Sequence, residues 1–293
     1  MAGPSYSDQT AVRALSRRLM AEWDDPAGYA ACFAADADHV SPTGRVDRDS
    51  AGIMAAQQAL LDGWAAGSTM SGRVDRLQFP TPEISLLTVY AEIDYGPDRA
   101  GERRRTIDSL TAQKIDAEWV LVGCQRTPLG RWPVPGPLDP AARACAGRLP
   151  GEVPTAPGLA ADRARDEKQL RALYGRMLGH WLDAPSYAEC FTPEADYITG
   201  GGKLERGWQE NVDGHSIIFS AWARNSRLEG AVDRVHFLTC DVAVLVAHGH
   251  IVYLDDRADS TDAGKRTVYL LTAQKLDGSW IFIGYQNTPI RAL

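Results

Sequence analysis

Apolar residues recur at helical spacing at the head of the chain and again past its middle. In the later stretch Leu170, Leu173, Met177, Leu178 and Trp181 fall on one face. This predicts helices over about 8–23 and 166–181. A short second helix is predicted from Pro26 to Ala34 and from Pro185 to Phe191, because proline suits the first turn. Asp38 to Val40 and Asp196 to Ile198 read as a brief strand, and a third helix covers about 49–66 and 207–223. After that the period falls from 3.6 to 2. Strands are predicted at roughly 71–79, 83–95, 103–115 and 118–127, with copies at 229–237, 241–254, 265–276 and 279–288. Asp116-Ala117 and Asp277-Gly278 are two-residue hairpin signals between the last two strands of each set. Helices followed by an antiparallel meander imply an α+β fold with helices on one face of a curved sheet.

The pattern occurs twice because the sequence does. Arg13 to Ile93 lies over Arg171 to Ile251 without a gap, and Arg104 to Pro128 lies over Lys265 to Pro289. About a third of these positions are identical, among them Leu110-Thr111-Ala112-Gln113-Lys114 and Leu271-Thr272-Ala273-Gln274-Lys275. The repeat is the size of a whole domain, too long for a solenoid unit. The expected division is 1–128, a linker at 129–162, and 163–293. Eight of the 17 prolines lie between 128 and 162, a density incompatible with a helix or a central strand. Trp132 within it is a candidate for pinning the linker to a domain surface.

Composition narrows the class. A net charge of −7 with dispersed basic residues argues against nucleic acid, which needs a positive stripe. No apolar run approaches a membrane span and the first residues lack an export signal, so a cytoplasmic protein without membrane partners is expected. None of the five cysteines forms a C-x-x-C pair, and the repeat equivalents Cys32 and Cys190, inside an apolar segment, read as reduced and buried.

The second half carries motifs of a known kind: Phe191 through Ala195-Asp196, Gly214-His215 followed by Ile218-Phe219, Ser226-Arg227-Leu228, Asp241-Val242-Ala243-Val244, and Trp280 with Tyr285-Gln286-Asn287-Thr288. In this order they resemble the nuclear-transport-factor-2-like superfamily of α+β cones, with its ketosteroid isomerases and SnoaL-like cyclases, and within it the SgcJ/EcaC family. The first half keeps Phe33, Ala37-Asp38, Trp119 and Gln125. It departs at Gln57, which stands where His215 is, and at Arg126, which stands where Asn287 is. The resemblance implies two tandem cones, each three helices on a curved antiparallel sheet around an apolar pocket, packed sheet to sheet as an intramolecular pseudo-dimer. A further homodimer is left open. The long strand agrees, since Val242, Val244, Val246 and Ala243, Leu245, Ala247 make both its faces apolar.

Candidate chemistry concentrates in the second half, which holds five of the six histidines. His215 lies on the apolar side of the third helix, as a packed core histidine or as a pocket base near neutral pH. His248 and His250 share a strand face. Their counterparts Tyr90 and Glu92 are also polar, which suits a pocket wall or a polar interface, and no third ligand makes them a metal site. Asp38 and Asp196 occupy one equivalent position, as a general base at the cone mouth or a turn cap. Asp108 stands opposite Tyr269 in the repeat alignment. A carboxylate there would have a raised pKa, and a tyrosine could donate to an oxyanion. Trp23/Trp181 and Trp64/Trp222 recur as core packing or ligand stacking.

Asp196, His215, His250 and Tyr269 are thus the expected catalytic set. Trp181, Tyr197, Trp222, His248, Gln286 and Asn287 are expected to bind substrate, with Trp23, Asp38, Trp64, Tyr90, Glu92 and Asp108 lining the other cone. No phosphate loop, dinucleotide fingerprint or nucleophile elbow occurs, so no cofactor is expected. The resemblance, together with the aromatic and histidine-bearing pocket candidates, implies a largely apolar natural product, polyketide or enediyne-like, undergoing cofactor-free acid/base chemistry such as strained-ring opening, hydrolysis or cyclisation. The alternative is a non-catalytic binding protein for self-resistance, or an accessory subunit. The second cone is the expected ligand site. If Arg126 points inward, it needs a partner such as Asp108 or Glu92, and the pair would fill ligand space.

Overall fold

A computed structural model describes residues 5–95, 99, 101–130, 157–259 and 266–290. Most of the expected linker, Trp132 included, lies outside them. In the first half the order is α1 (Tyr6–Ala21), α2 (Pro26–Ala30), β1 (Phe33–Val40), β2 (Val46–Arg48), α3 (Asp49–Leu61), β3 (Thr69–Thr81), β4 (Ile84–Asp94), β5 (Arg103–Ile115) and β6 (Glu118–Leu129). The second half repeats it with α4 (Pro157–Gly179), α5 (Ala184–Ala188), β7 (Phe191–Ile198), β8 (Leu204–Arg206), α6 (Gly207–Ser220), β9 (Ser226–Phe237), β10 (Val242–Tyr253), β11 (Arg266–Leu276) and β12 (Ser279–Pro289). Among the described residues these are two tandem α+β cones, each with three α-helices and one six-stranded sheet.

Four local departures have physical reasons. The second helix ends early in both copies because Phe33 and Phe191 enter a strand, where each packs in the core. That strand runs parallel to β6 or β12, so each sheet is mixed rather than wholly antiparallel. The three-residue strands β2 and β8 are too short to show a period. α4 begins at Pro157, inside the expected linker, with proline at the position that needs no N–H.

The sheets pack face to face. Val242, Val244 and Val246 join the first half's core, while Ala243, Leu245 and Ala247 belong to the second cone's own. Alternation along one strand therefore serves two cores. Across the seam Gln125 Nε2 donates to Thr288 Oγ1 at 2.8 Å, and its repeat mate Gln286 Nε2 donates to Thr127 Oγ1 at 2.9 Å. Arg76 to Asp196 (2.5 Å) and Arg234 to Asp38 (2.9 Å) form a second repeat-related pair. The contact is an intramolecular pseudo-dimer.

Candidate functional site

A cavity of about 650 Å³ opens between α6 and the sheet of the second cone, within the range typical of small-molecule sites. Its aromatic wall includes Trp181, Tyr187, Tyr197, Trp222, Tyr269 and Tyr285. Tyr197 stacks on Tyr285 with ring centres 4.0 Å apart, and its hydroxyl lies 3.0 Å from that of Tyr187. Burial pushes the Tyr187 and Tyr285 phenols well above their ordinary range and raises Tyr269 too, so these groups stay protonated and can donate. Trp181 Nε1 is held by Ser226 Oγ at 2.9 Å, while Trp222 is about half exposed at the wall.

His215 enters this wall from α6, its ring centre 4.3 Å from Tyr187 and 5.1 Å from Tyr197. Its Nδ1 lies 2.9 Å from the Asn211 carbonyl. A carbonyl only accepts, so Nδ1 carries the proton and Nε2 is left as an acceptor. Burial lowers the imidazole pKa from 6.5 to about 4, against the pull of the Asn211 carbonyl, so the ring is neutral near pH 7.

Glu205, on β8, also lines the cavity. It is buried, with Oε1 3.0 Å from Lys203 Nζ and Oε2 without a hydrogen-bond partner among the described residues. Burial raises its carboxyl pKa, and Lys203 pulls the other way. Its neighbour across the wall is Gly214, where any Cβ would overlap the carboxyl. The glycine beside His215 therefore lets the carboxyl pack directly against α6. Sequence reasoning missed Glu205, Tyr187 and the lining role of Tyr285. The available signal was the basic-x-acidic pattern Arg45-Val46-Asp47, repeated as Lys203-Leu204-Glu205.

Of the expected catalytic set, the cavity gathers His215, Tyr269 and His250, the last 3.5 Å from Glu229. Asp196 is a correction. Its carboxylate is taken by Arg76 (2.5 Å) and Thr88 Oγ1 (2.6 Å) at the seam between the sheets, and Asp38 is likewise taken by Arg234. Among the expected binding residues, Trp181, Tyr197, Trp222 and Asn287 line the cavity. Gln286 does not. Alternation turns it to the seam, where it donates to the Ile107 carbonyl at 2.8 Å. His248 also lies outside the lining, bonded to Asp233 at 2.8 Å.

The first-half candidates are corrected together. Asp108 and Arg126, counterparts of Tyr269 and Asn287, form an ion pair at 3.3 Å, both nearly inaccessible. The Arg126 guanidinium lies 5.4 Å from the Trp23 ring centre and 5.6 Å from that of Tyr29. Gln57, counterpart of His215, donates to the Trp23 carbonyl at 2.5 Å, and Trp23 Nε1 donates to Ser68. Trp64 is covered by the Arg104 guanidinium at 4.4 Å. Glu92 binds Arg103 and Arg105, and Arg73 lies 5.0 Å over Tyr90. Thus three positions that line the cavity in one half carry the side chains that pack the other half's interior. Among the described residues no cluster of His, Cys, Asp and Glu has metal-site geometry, and no helix is long and apolar enough to cross a membrane.

No protein-family model matches this chain, and no curated protein does. Among solved structures, it is similar to a domain of unknown function with a cystatin-like fold from Nostoc punctiforme (20% identity, 58% of this chain and 96% of that one, TM-score 0.40). It is similar to an NTF2-like protein with a cystatin-like fold from Novosphingobium aromaticivorans (14% identity, 47% and 92%, TM-score 0.40). A third is Aln2 from a Streptomyces species (17% identity, 43% and 94%, TM-score 0.39).

Proposed function

We propose that the second cone binds a largely apolar small molecule and acts on it by cofactor-free acid/base chemistry. The observation that carries this reading is one aromatic cavity lined by both a neutral imidazole and a carboxyl of raised pKa. Groups of opposite role held in one largely apolar site are what proton transfer needs. Fixed tyrosine hydroxyls add donors for a developing oxyanion.

The reaction class we favour is opening of a strained ring on a polyketide- or enediyne-like natural product, with an epoxide as the simplest case. Water attacks a ring carbon and gives its proton to His215 Nε2. The carbon–oxygen bond breaks, and the ring oxygen takes the proton of the Glu205 carboxyl. The product is a diol, and proton exchange with solvent restores both groups. Trp181 and Trp222 would hold the apolar body of the ligand, with Tyr269, His250 and Asn287 along its polar edge.

A second reading is sequestration without turnover, as a self-resistance or accessory protein. It is favoured by the Tyr187–Tyr197 hydroxyl contact, which lets the aromatic box satisfy itself without a reacting group. Stilbene oxide separates the two. Catalysis predicts diol formation that falls at least about a hundredfold in His215→Ala and in Glu205→Gln, as loss of a general acid or base does. Binding of stilbene oxide and a panel of polyketide epoxides with no product, seen by native mass spectrometry, would sink the catalytic reading in favour of sequestration.

A further inference from the structure

The cavity wall has a back, and that back belongs to the other half of the chain. β12 brings Tyr285 and Asn287 to the cavity, and the turn between β7 and β8 brings Gly200, Gly201 and Lys203. Behind β12 runs β6. Thr127 Oγ1 donates to the Asn287 carbonyl at 2.8 Å and accepts from Gln286 Nε2 at 2.9 Å. The turn seats on the end of the same strand. Gly202 has φ +80, and a Cβ there would lie 2.6 Å from Leu129 Cδ2 and 3.0 Å from the Pro128 carbonyl. Only glycine combines that backbone with that approach.

The repeat makes the arrangement reciprocal in geometry but not in consequence. Thr288 Oγ1 donates to the Arg126 carbonyl at 3.0 Å, as Thr127 does to that of Asn287. One hydroxyl steadies a residue of a buried ion pair. The other steadies a residue of a ligand-sized cavity.

We propose that the first half is a buttress for the ligand site of the second, with Thr127, Pro128 and Leu129 fixing β12 and the 199–203 turn in the shape that binding requires. This rests on the second-cone cavity being the ligand site. None of the three residues is part of the cavity lining, so they are positioning residues that act through Asn287 and the turn. Other contacts across the seam serve as internal controls. Thr111 and Thr272 hydroxyls meet at 3.3 Å, and neither residue lines the cavity.

The test uses the full chain and the neutral fluorophore 6-propionyl-2-(dimethylamino)naphthalene, with Kd and Tm measured in parallel. Thr127→Val, which removes the bonds to the Asn287 carbonyl and from Gln286 together, is expected to raise Kd about tenfold or more, while Thr127→Ser restores it. Leu129→Ala, which leaves those hydrogen bonds in place, is expected to weaken binding too and gives a second reading should Thr127→Val fail to fold. Thr111→Val is expected to lower Tm and leave Kd unchanged. The buttress is overturned if Thr127→Val and Leu129→Ala bind like the parent, or if Thr111→Val weakens binding as much as they do. Failure of the site itself looks different: the parent chain does not bind the fluorophore, or the cavity-filling Ile218→Trp leaves its binding intact.

Discussion

At the scale of single residues, two buried groups set measurable energies. His215 has a folded-state pKa of about 4 against 6.5 for an ordinary imidazole. The unfolded chain thus binds a proton that the folded chain refuses. Stability linked to His215 is complete above pH 6.5 and is lost as pH falls toward 4, by about 3 kcal/mol in all. His215→Gln, which installs the first half's residue, should flatten this dependence in urea titrations between pH 4.5 and 7.5. An unchanged slope would mean that the imidazole is not buried as described. Asp108 and Arg126 make the second case. Burial raises the Asp108 pKa, but a guanidinium cannot shed its charge, so Arg126 remains the ion that demands a partner. Asp108→Asn should cost about 3–5 kcal/mol, whereas Asp108→Leu with Arg126→Met should recover most of it. Equal losses in the single and double variants would refute the pairing. The sequence left this pairing as one of two, Asp108 or Glu92, for an inward Arg126, because a buried charge needs a partner; the structure has Asp108. The seam positions of Asp196 and Gln286 were not. Alternation tells which residues share a face, but with both faces apolar it cannot tell a cone interior from a partner sheet.

At the scale of elements, the order of helices and long strands followed from periodicity, while β2 and β8 did not, and Glu205 was missed with β8. A three-residue strand has no period to read. The hairpins offer an internal comparison. Asp277 and Gly278 take φ values of 49 and 80, and Asp116 and Ala117 take 50 and 70. Only the first half places a β-carbon at the second left-handed position, where L-residues pay about 1–2 kcal/mol. Ala117 is exposed, so Ala117→Gly gains backbone freedom without losing packing. We expect stability to rise by about 1 kcal/mol, partly offset by greater unfolded-state entropy. A thermal scan showing a fall in Tm would contradict this account of the turn.

At the scale of the whole molecule, the cores are not separable. Leu238, Val242, Val244, Val246, Val268 and Leu270 of the second half belong to one apolar cluster with Val12, Leu87 and Leu110 of the first. A shared core melts as a unit. Calorimetry should give a single transition with equal calorimetric and van't Hoff enthalpies, and two resolved transitions would show that each cone folds alone. Duplication was plain from the sequence, as was apolar character on both faces of the long strand. The sharing of one cluster by two cones needed coordinates, because no periodicity records which partner a buried face meets.

The seam closes differently at its two ends. At one end Asp36 meets His236 at 3.1 Å. At the other their counterparts are Glu194, largely exposed, and Gln78, and a groove of about 620 Å³ lies between the halves. Two separate copies of one polypeptide could not differ in this way, because every change would be written twice and must suit both ends at once. Joining the copies removes that demand. One half is free to fill its interior with an ion pair while its twin keeps a hollow, and each mutation is judged at a single place.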